Sequence, residues 1–249
     1  MKIDPTADYT DLTALFINCS IKLIKADSHT QLLIDKAANI MATQGVTVEQ
    51  VYALDHNIAT GMIKDGQDQG QKDDWPKIQA KIMAADILVI GTPIWLGVKS
   101  SVATRVVERL YAYSGDRNQK GQYLYYGKTG GCVITGNEDG IKHCAMDILY
   151  ALQHIGYTIP PQADCGWIGE AGPGPSYGDT EWNGKPIGDG KSPLGFDNDF
   201  TNRNTTFMAW NLMHSARTLK DRGGIPAYGN TVEGWMQVTN AKNENPEYQ

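Results

Sequence analysis

Four consecutive apolar residues, Ile87-Leu88-Val89-Ile90, run without a polar partner and stop at Gly91-Thr92-Pro93-Ile94-Trp95-Leu96-Gly97. A strand with no polar alternation is buried on both faces, which places it centrally in a parallel sheet covered by helices above and below. Where it ends, Pro93 stiffens the chain and the two glycines allow close approach of other groups. The stretch therefore reads as a strand followed by a loop that presents a tryptophan at its tip, a platform on which a flat ligand can lie.

The flanking sequence supplies the rest of such a sheet. A first strand is expected over residues 12–19, and Asp27 or Ser28 then caps a helix whose apolar positions Leu32, Leu33, Ala37, Ile40 and Met41 recur at helical spacing, with Gly45 at its stop. A second strand is expected over 46–54. Asp74 with Pro76 starts a helix through Ile78 and Ile82 that leads into Ile87. Ser100 or Ser101 caps the next helix, a strand covers 129–135, and a helix with Ile141, Ala145, Ile148 and Leu152 inward ends at Gly156. A fifth strand falls within 157–168. Five strand-helix units are too few for a closed barrel and favour an open, doubly wound sheet with two helices on each face.

After this the composition changes. Residues 169–200 hold eight glycines and four prolines, together with Tyr177, Trp182 and Phe196. So long a segment is expected to be a functional loop that docks on something, as a lid or an oligomer contact. A last helix is expected over about 202–220, and the polar residues 240–249 read as a flexible tail. The whole chain, 1–249, reads as one domain with embellishments.

A net charge of -6 argues against nucleic acid as a partner, because phosphate contacts need clustered Lys and Arg. No stretch approaches the length of a membrane span, and the first sixteen residues lack an apolar signal core, so a cytoplasmic location is expected. Cys19, Cys132, Cys144 and Cys165 show no metal-binding spacing and read as packing residues.

In an open α/β sheet the ligand crevice lies outside the carboxyl ends of the strands. Three loops occupy that edge here. The first, 20–31, has no glycine-rich dinucleotide or P-loop pattern, but Ser20, Ser28 and Thr30 with the following helix N-terminus can hold a phosphate. Ser28 equally suits a plain helix cap. The second is 92–97, whose Trp95 suits a planar ring or the core. The third, Thr135-Gly136-Asn137-Glu138-Asp139-Gly140, offers backbone donors and the Asn137 amide to ring carbonyl oxygens.

Together these stretches resemble the flavodoxin-like NAD(P)H-dependent oxidoreductases, the NADPH-dependent FMN reductase family. Cys19-Ser20 through Ser28-His29-Thr30 corresponds to the family's G-S-x-R-x-x-S-x-T phosphate loop, with Cys19 in place of the leading glycine and three additional residues between Ser20 and Ser28. Gly91-Thr92-Pro93-Ile94-Trp95-Leu96-Gly97 matches its G-[ST]-P-x-[YW]-x-G flavin loop more closely. The resemblance implies a flavodoxin-like, doubly wound five-stranded parallel sheet in the order 2-1-3-4-5, with FMN as cofactor and NAD(P)H as co-substrate. By the same resemblance Ser20, Lys22, Ser28, His29 and Thr30 surround the phosphate. Pro93, Ile94, Trp95, Leu96 and Gly97 flank the isoalloxazine, and Thr135, Gly136, Asn137, Glu138 and Gly140 approach its pyrimidine side. No side chain need act as acid or base. The implied partner is a small-molecule electron acceptor such as a quinone or flavin, and the implied assembly a homodimer or homotetramer. A flavodoxin-type electron carrier without its own NAD(P)H site is the alternative, and a flavin-free protein on the same fold is the third reading.

Overall fold

A computed structural model describes residues 7–64, 67, 70–137, 139–172 and 174–239. The chain alternates strand and helix: β1 (Thr13–Asn18), α1 (His29–Ala42), β2 (Thr47–Tyr52), α2 (Trp75–Ala84), β3 (Ile87–Trp95), β4 (Val98–Lys99), α3 (Ser101–Tyr111), β5 (Thr129–Gly136), α4 (Ile141–His154) and β6 (Asp164–Ile168). Then come β7 (Glu181–Trp182), β8 (Lys185–Pro186), α5 (Asp199–Asp221) and α6 (Val232–Thr239). The five main strands are parallel in the order β2-β1-β3-β5-β6. With the two-residue β4 set aside this is the flavodoxin-like order 2-1-3-4-5.

The period-two geometry of β1 and β3 divides the core between two faces. Leu15, Ile17, Leu88 and Ile90 face α2, α3 and α4 through Ile78, Val106 and Ile148. Phe16, Ile87 and Val89 face α1 and α5 through Leu33, Ile34, Met208 and Leu212. The faces thus carry three helices and two, where two and two were expected, because α2, α3 and α4 all lie on one face while α5 joins α1 on the other.

Helix starts follow the expected side chains. Ser28 and Ser100 each accept a hydrogen bond from the N–H three residues on, capping α1 and α3. Asp74 stands before α2 with Pro76 in its first turn. The helix expected last, over about 202–220, is α5, which begins at Asp199 because Asn198 caps it through the Thr201 N–H, and α6 follows it.

β3 does not end at Ile90. It pairs with β5 as far as Pro93↔Thr135, then turns back through Leu96 (φ 51) and Gly97 (φ 79) into antiparallel β4. Beyond Gly91 the strand has lost β1 as a neighbour, since that register ends at Asn18↔Gly91, and a strand with an open side accepts a proline. The expected loop is therefore a strand end and a two-residue hairpin. Gly91 itself lets α1 approach: a Cβ there would stand 2.5 Å from Ile34 Cδ1 and 3.2 Å from Thr30 Cγ2.

Among the described residues one ion pair is buried. Arg109 on α3 is fully enclosed and grips Asp73 with two hydrogen bonds of 2.9 and 2.7 Å, while a further one of 3.1 Å reaches the Ala59 carbonyl. The guanidinium also lies 5.3 Å from the Trp75 ring centre. Burial alone would raise the Asp73 pKa, but the Arg109 hydrogen bonds and the Ala59 and Trp75 N–H groups outweigh it and lower it.

All four cysteines are free and buried. Burial pushes the Cys19 and Cys132 thiols well up and takes Cys165 to about 12.

Lys128 carries a pH signature. Burial pulls its ammonium down to about 8 from 10.5, against the nearby Asp86, which raises it. Between those values the unfolded chain binds the extra proton, so this group's contribution to stability rises with pH across the window. Denaturant melts should show wild type gaining on Lys128→Met as the pH climbs from 8 towards 10.5. A pH-independent difference between the two would refute the assignment.

Candidate functional site

The carboxyl edge of the sheet holds a cavity of about 760 Å³. Three connections line it, those expected from the sequence. From β1–α1 come Ser20, Ile21, Lys22, Ala26 and Asp27, with His29 and Thr30 from the first turn of α1. Pro93, Ile94 and Trp95 come from the end of β3, and Thr135, Gly136 and Asn137 from the end of β5. The fourth wall is the segment 169–200, through Gly174, Ser176, Asp179 and Trp182.

Asn18, the last residue of β1, organises the first connection from a fully buried position. Its Oδ1 accepts from the Ser20 N–H (2.9 Å), and its amide donates to Gln31 Oε1 (2.9 Å) and Ser28 Oγ (3.3 Å). The Ser20 hydroxyl accepts from the Lys22 N–H at 3.1 Å, and the Lys22 carbonyl takes the Tyr52 hydroxyl at 2.6 Å. Underneath, the Thr30 and Thr135 hydroxyls hydrogen-bond to each other at 2.8 Å, tying α1 to β5 below the cavity.

The N–H groups of His29 and Thr30, the first two of α1, have no hydrogen bond to any described residue. They open on the anion-favouring end of the helix dipole, with the exposed Lys22 beside them. His29 contributes a polar edge more than a charge. Burial lowers its pKa more than Asp179 raises it, with Lys22 lowering it further and Asp27 raising it, which favours the neutral ring. Its Nε2 stands 3.6 Å from Asp179 Oδ1.

Ten of the expected residues line the cavity: Ser20, Lys22, His29, Thr30, Pro93, Ile94, Trp95, Thr135, Gly136 and Asn137. Ser28 does not. Its hydroxyl is buried, capping α1 at 3.2 Å from the Gln31 N–H. Leu96 projects into solvent at the hairpin turn. Gly97 and Gly140 pack on each other, and Gly140 holds φ +136 at the start of α4. These two support the hairpin rather than face the cavity. Glu138 lies outside the described residues.

Asn137 differs from its expected part. Its amide donates to the carbonyls of Gly174 (2.7 Å) and Pro175 (2.9 Å), so it holds the fourth wall in place. The residues of that wall were missed as site residues. Their only sequence signal was the length and aromatic content of 169–200, which shows that the segment docks but not where. It is also not structureless, since it contains the β7–β8 hairpin and a 3-10 turn over Leu194–Asp197.

A doubly wound sheet with a phosphate-type helix end and a flat apolar strand end facing one cavity defines a flavodoxin-like protein. The description NADPH-dependent FMN reductase matches residues 12–167. The chain belongs to that family. The 8-demethyl-8-aminoriboflavin-5′-phosphate synthase of Streptomyces davaonensis is 35% identical over 216 residues, 84% of this chain and 79% of that one. A protein of Mycobacterium bovis named divalent metal cation transporter MntH is 55% identical over 213 residues, or 85% of this chain. The chain spans 30% of that protein's length. Among solved structures, RosB with bound 8-demethyl-8-formylriboflavin-5′-phosphate superimposes with a TM-score of 0.78 at 33% identity, covering 94% of this chain and 88% of that one.

The donor set fits FMN. Unpaired helix N–H groups, a serine hydroxyl and a lysine suit a phosphate, and the Pro93-Ile94-Trp95 edge suits a flat ring.

Proposed function

We propose that the cavity binds FMN and that the protein passes reducing equivalents from NAD(P)H to a small-molecule acceptor, a quinone or a flavin. The observation that carries this is the convergence of the α1 N-terminus and the ends of β3 and β5 on one cavity. In this reading Ser20, Lys22 and the N–H groups of His29 and Thr30 hold the phosphate. Lys22 supplies charge without the bidentate fork of an arginine. Ser28 acts indirectly, keeping the helix end formed. Pro93, Ile94 and Trp95 wall the ring on one side, and Thr135 and Gly136 approach it from the end of β5. When bound, FMN supplies the hydride and electron chemistry. The chain's residues orient it and exclude water.

The test is an FMN titration by flavin fluorescence, followed by anaerobic addition of NADPH. One-to-one binding and bleaching without a partner reductase support the reductase. Binding without bleaching supports the electron carrier, and no binding overturns the site. Lys22→Glu should weaken FMN binding by one to two decades at low salt, since it exchanges attraction for repulsion beside the phosphate, and by less at high salt. Riboflavin, which lacks the phosphate, serves as control. Equal losses for both ligands would move the phosphate away from Lys22.

A second reading takes flavin phosphate as a substrate altered at ring position 8. The likeness to RosB favours it, because its 94% coverage carries the match past residue 167 into the fourth wall. Mass spectrometry of flavin recovered after turnover separates the two: unchanged FMN supports the reductase, and a changed ring substituent supports the second reading.

A further inference from the structure

Two hydroxyls meet beneath the cavity with one more hydrogen than the bond between them uses. Thr30 Oγ1 on α1 and Thr135 Oγ1 near the end of β5 stand 2.8 Å apart, and both residues line the cavity while being only 2% and 3% exposed. Each hydroxyl carries one hydrogen, and a single bond between them consumes one. Neither oxygen has a second hydrogen-bond partner among the described residues. Elsewhere in this chain helical threonines turn back on their own helix: Thr104, Thr205, Thr206 and Thr218 donate to the carbonyl four residues before them. Thr30 does not. Its oxygen crosses to β5, and its methyl lies against Gly91, where a Cβ would stand 3.2 Å from it. With oxygen and methyl so placed, only the hydrogen is free to turn.

The direction of the shared bond decides what the cavity is offered. If Thr30 donates, the spare hydrogen belongs to Thr135 on the strand. If Thr135 donates, it belongs to Thr30, beside the unpaired N–H groups of His29 and Thr30 and at the positive end of the helix. An anion accepts hydrogen bonds and gives none, so an anion at that end selects the second arrangement. We infer that Thr135 is a positioning residue for the phosphate: its hydroxyl donates to Thr30 and thereby commits the Thr30 hydrogen to the anion. This rests on the phosphate site of the FMN reading and deepens it, since a residue of β5 then sets a contact made on α1.

FMN titration by flavin fluorescence tests the pair as a double-mutant cycle. Thr30→Val, which keeps the shape and loses the hydroxyl, should weaken FMN binding about ten- to a hundredfold. Thr135→Val should weaken it about three- to tenfold, and the double valine variant should bind no worse than Thr30→Val alone. Thr135→Ser, which restores the hydroxyl, should stay within about twofold of wild type, as should riboflavin binding by Thr135→Val. Additive losses in the cycle would show that Thr135 acts without Thr30. Equal losses of FMN and riboflavin would place Thr135 against the ring, and either result overturns the role. So does FMN binding by Thr135→Val that matches wild type. If Thr135→Val does not fold, Thr135→Ala carries the same comparison. Should wild type bind no FMN, the flavin reading fails by itself, and thermal melts in inorganic phosphate then decide the role of Thr135. A smaller phosphate-induced rise in Tm for Thr135→Val than for wild type supports it, and an equal rise, or none in wild type, overturns it.

Discussion

Arg109→Ala is expected to lower the unfolding free energy by about 3–5 kcal/mol, the range for removing one partner from a buried ion pair. Arg109 is fully enclosed, Asp73 nearly so, and the pair is bidentate. Truncation leaves the Asp73 carboxylate buried with only the Ala59 and Trp75 N–H groups, at 3.1 and 3.2 Å. The segment before α2 would lose its anchor on α3 along with the Ala59 contact. Urea titration with a two-state fit measures this. The double variant Arg109→Met with Asp73→Leu should recover much of the loss, because well-packed apolar groups replace a buried pair at little cost. A midpoint for Arg109→Ala within experimental error of wild type would show that water reaches the pair and solvates the carboxylate.

Gly140→Ala should destabilise by about 3 kcal/mol and weaken FMN binding without touching the ligand. At φ +136 an alanine is strained, and its Cβ would stand 2.7 Å from the Gly97 oxygen and 2.9 Å from its Cα. Both neighbours are backbone, so relief requires moving the β3–β4 hairpin, and with it Trp95. The strain and the overlap each contribute on the order of 1–3 kcal/mol. Thermal melts and the FMN titration should move together. Reduced stability with unchanged FMN affinity would separate the hairpin's position from binding.

The parts legible in the sequence were those fixed by neighbouring residues. Ile87 to Ile90 announced the central strand because no polar residue interrupts it, and Ser28 and Ser100 announced helix starts because capping is a three-residue interaction. The extension of β3 to Pro93 was hidden, since it depends on β5 supplying partners from more than thirty residues away. Ser28 illustrates a different limit. A hydroxyl before a helix suits a cap and a phosphate equally, and its hydrogen bonds with Asn18 and the Gln31 N–H come from the folded arrangement. The bonds from Asn137 to the fourth wall had no local signal, because the carbonyls it binds belong to a distant segment. For the same reason Asp179 and Trp182 carried no local sign of their place over the cavity.

The buried cysteines bear on endurance. Oxidants attack cysteine through its thiolate. With all four thiols enclosed and the Cys165 thiol pushed up to about 12, the chain offers almost none of the vulnerable anion at neutral pH. Oxidative wear should therefore fall first on exposed thioethers such as Met146 and Met62, leaving the sheet beneath the cavity untouched.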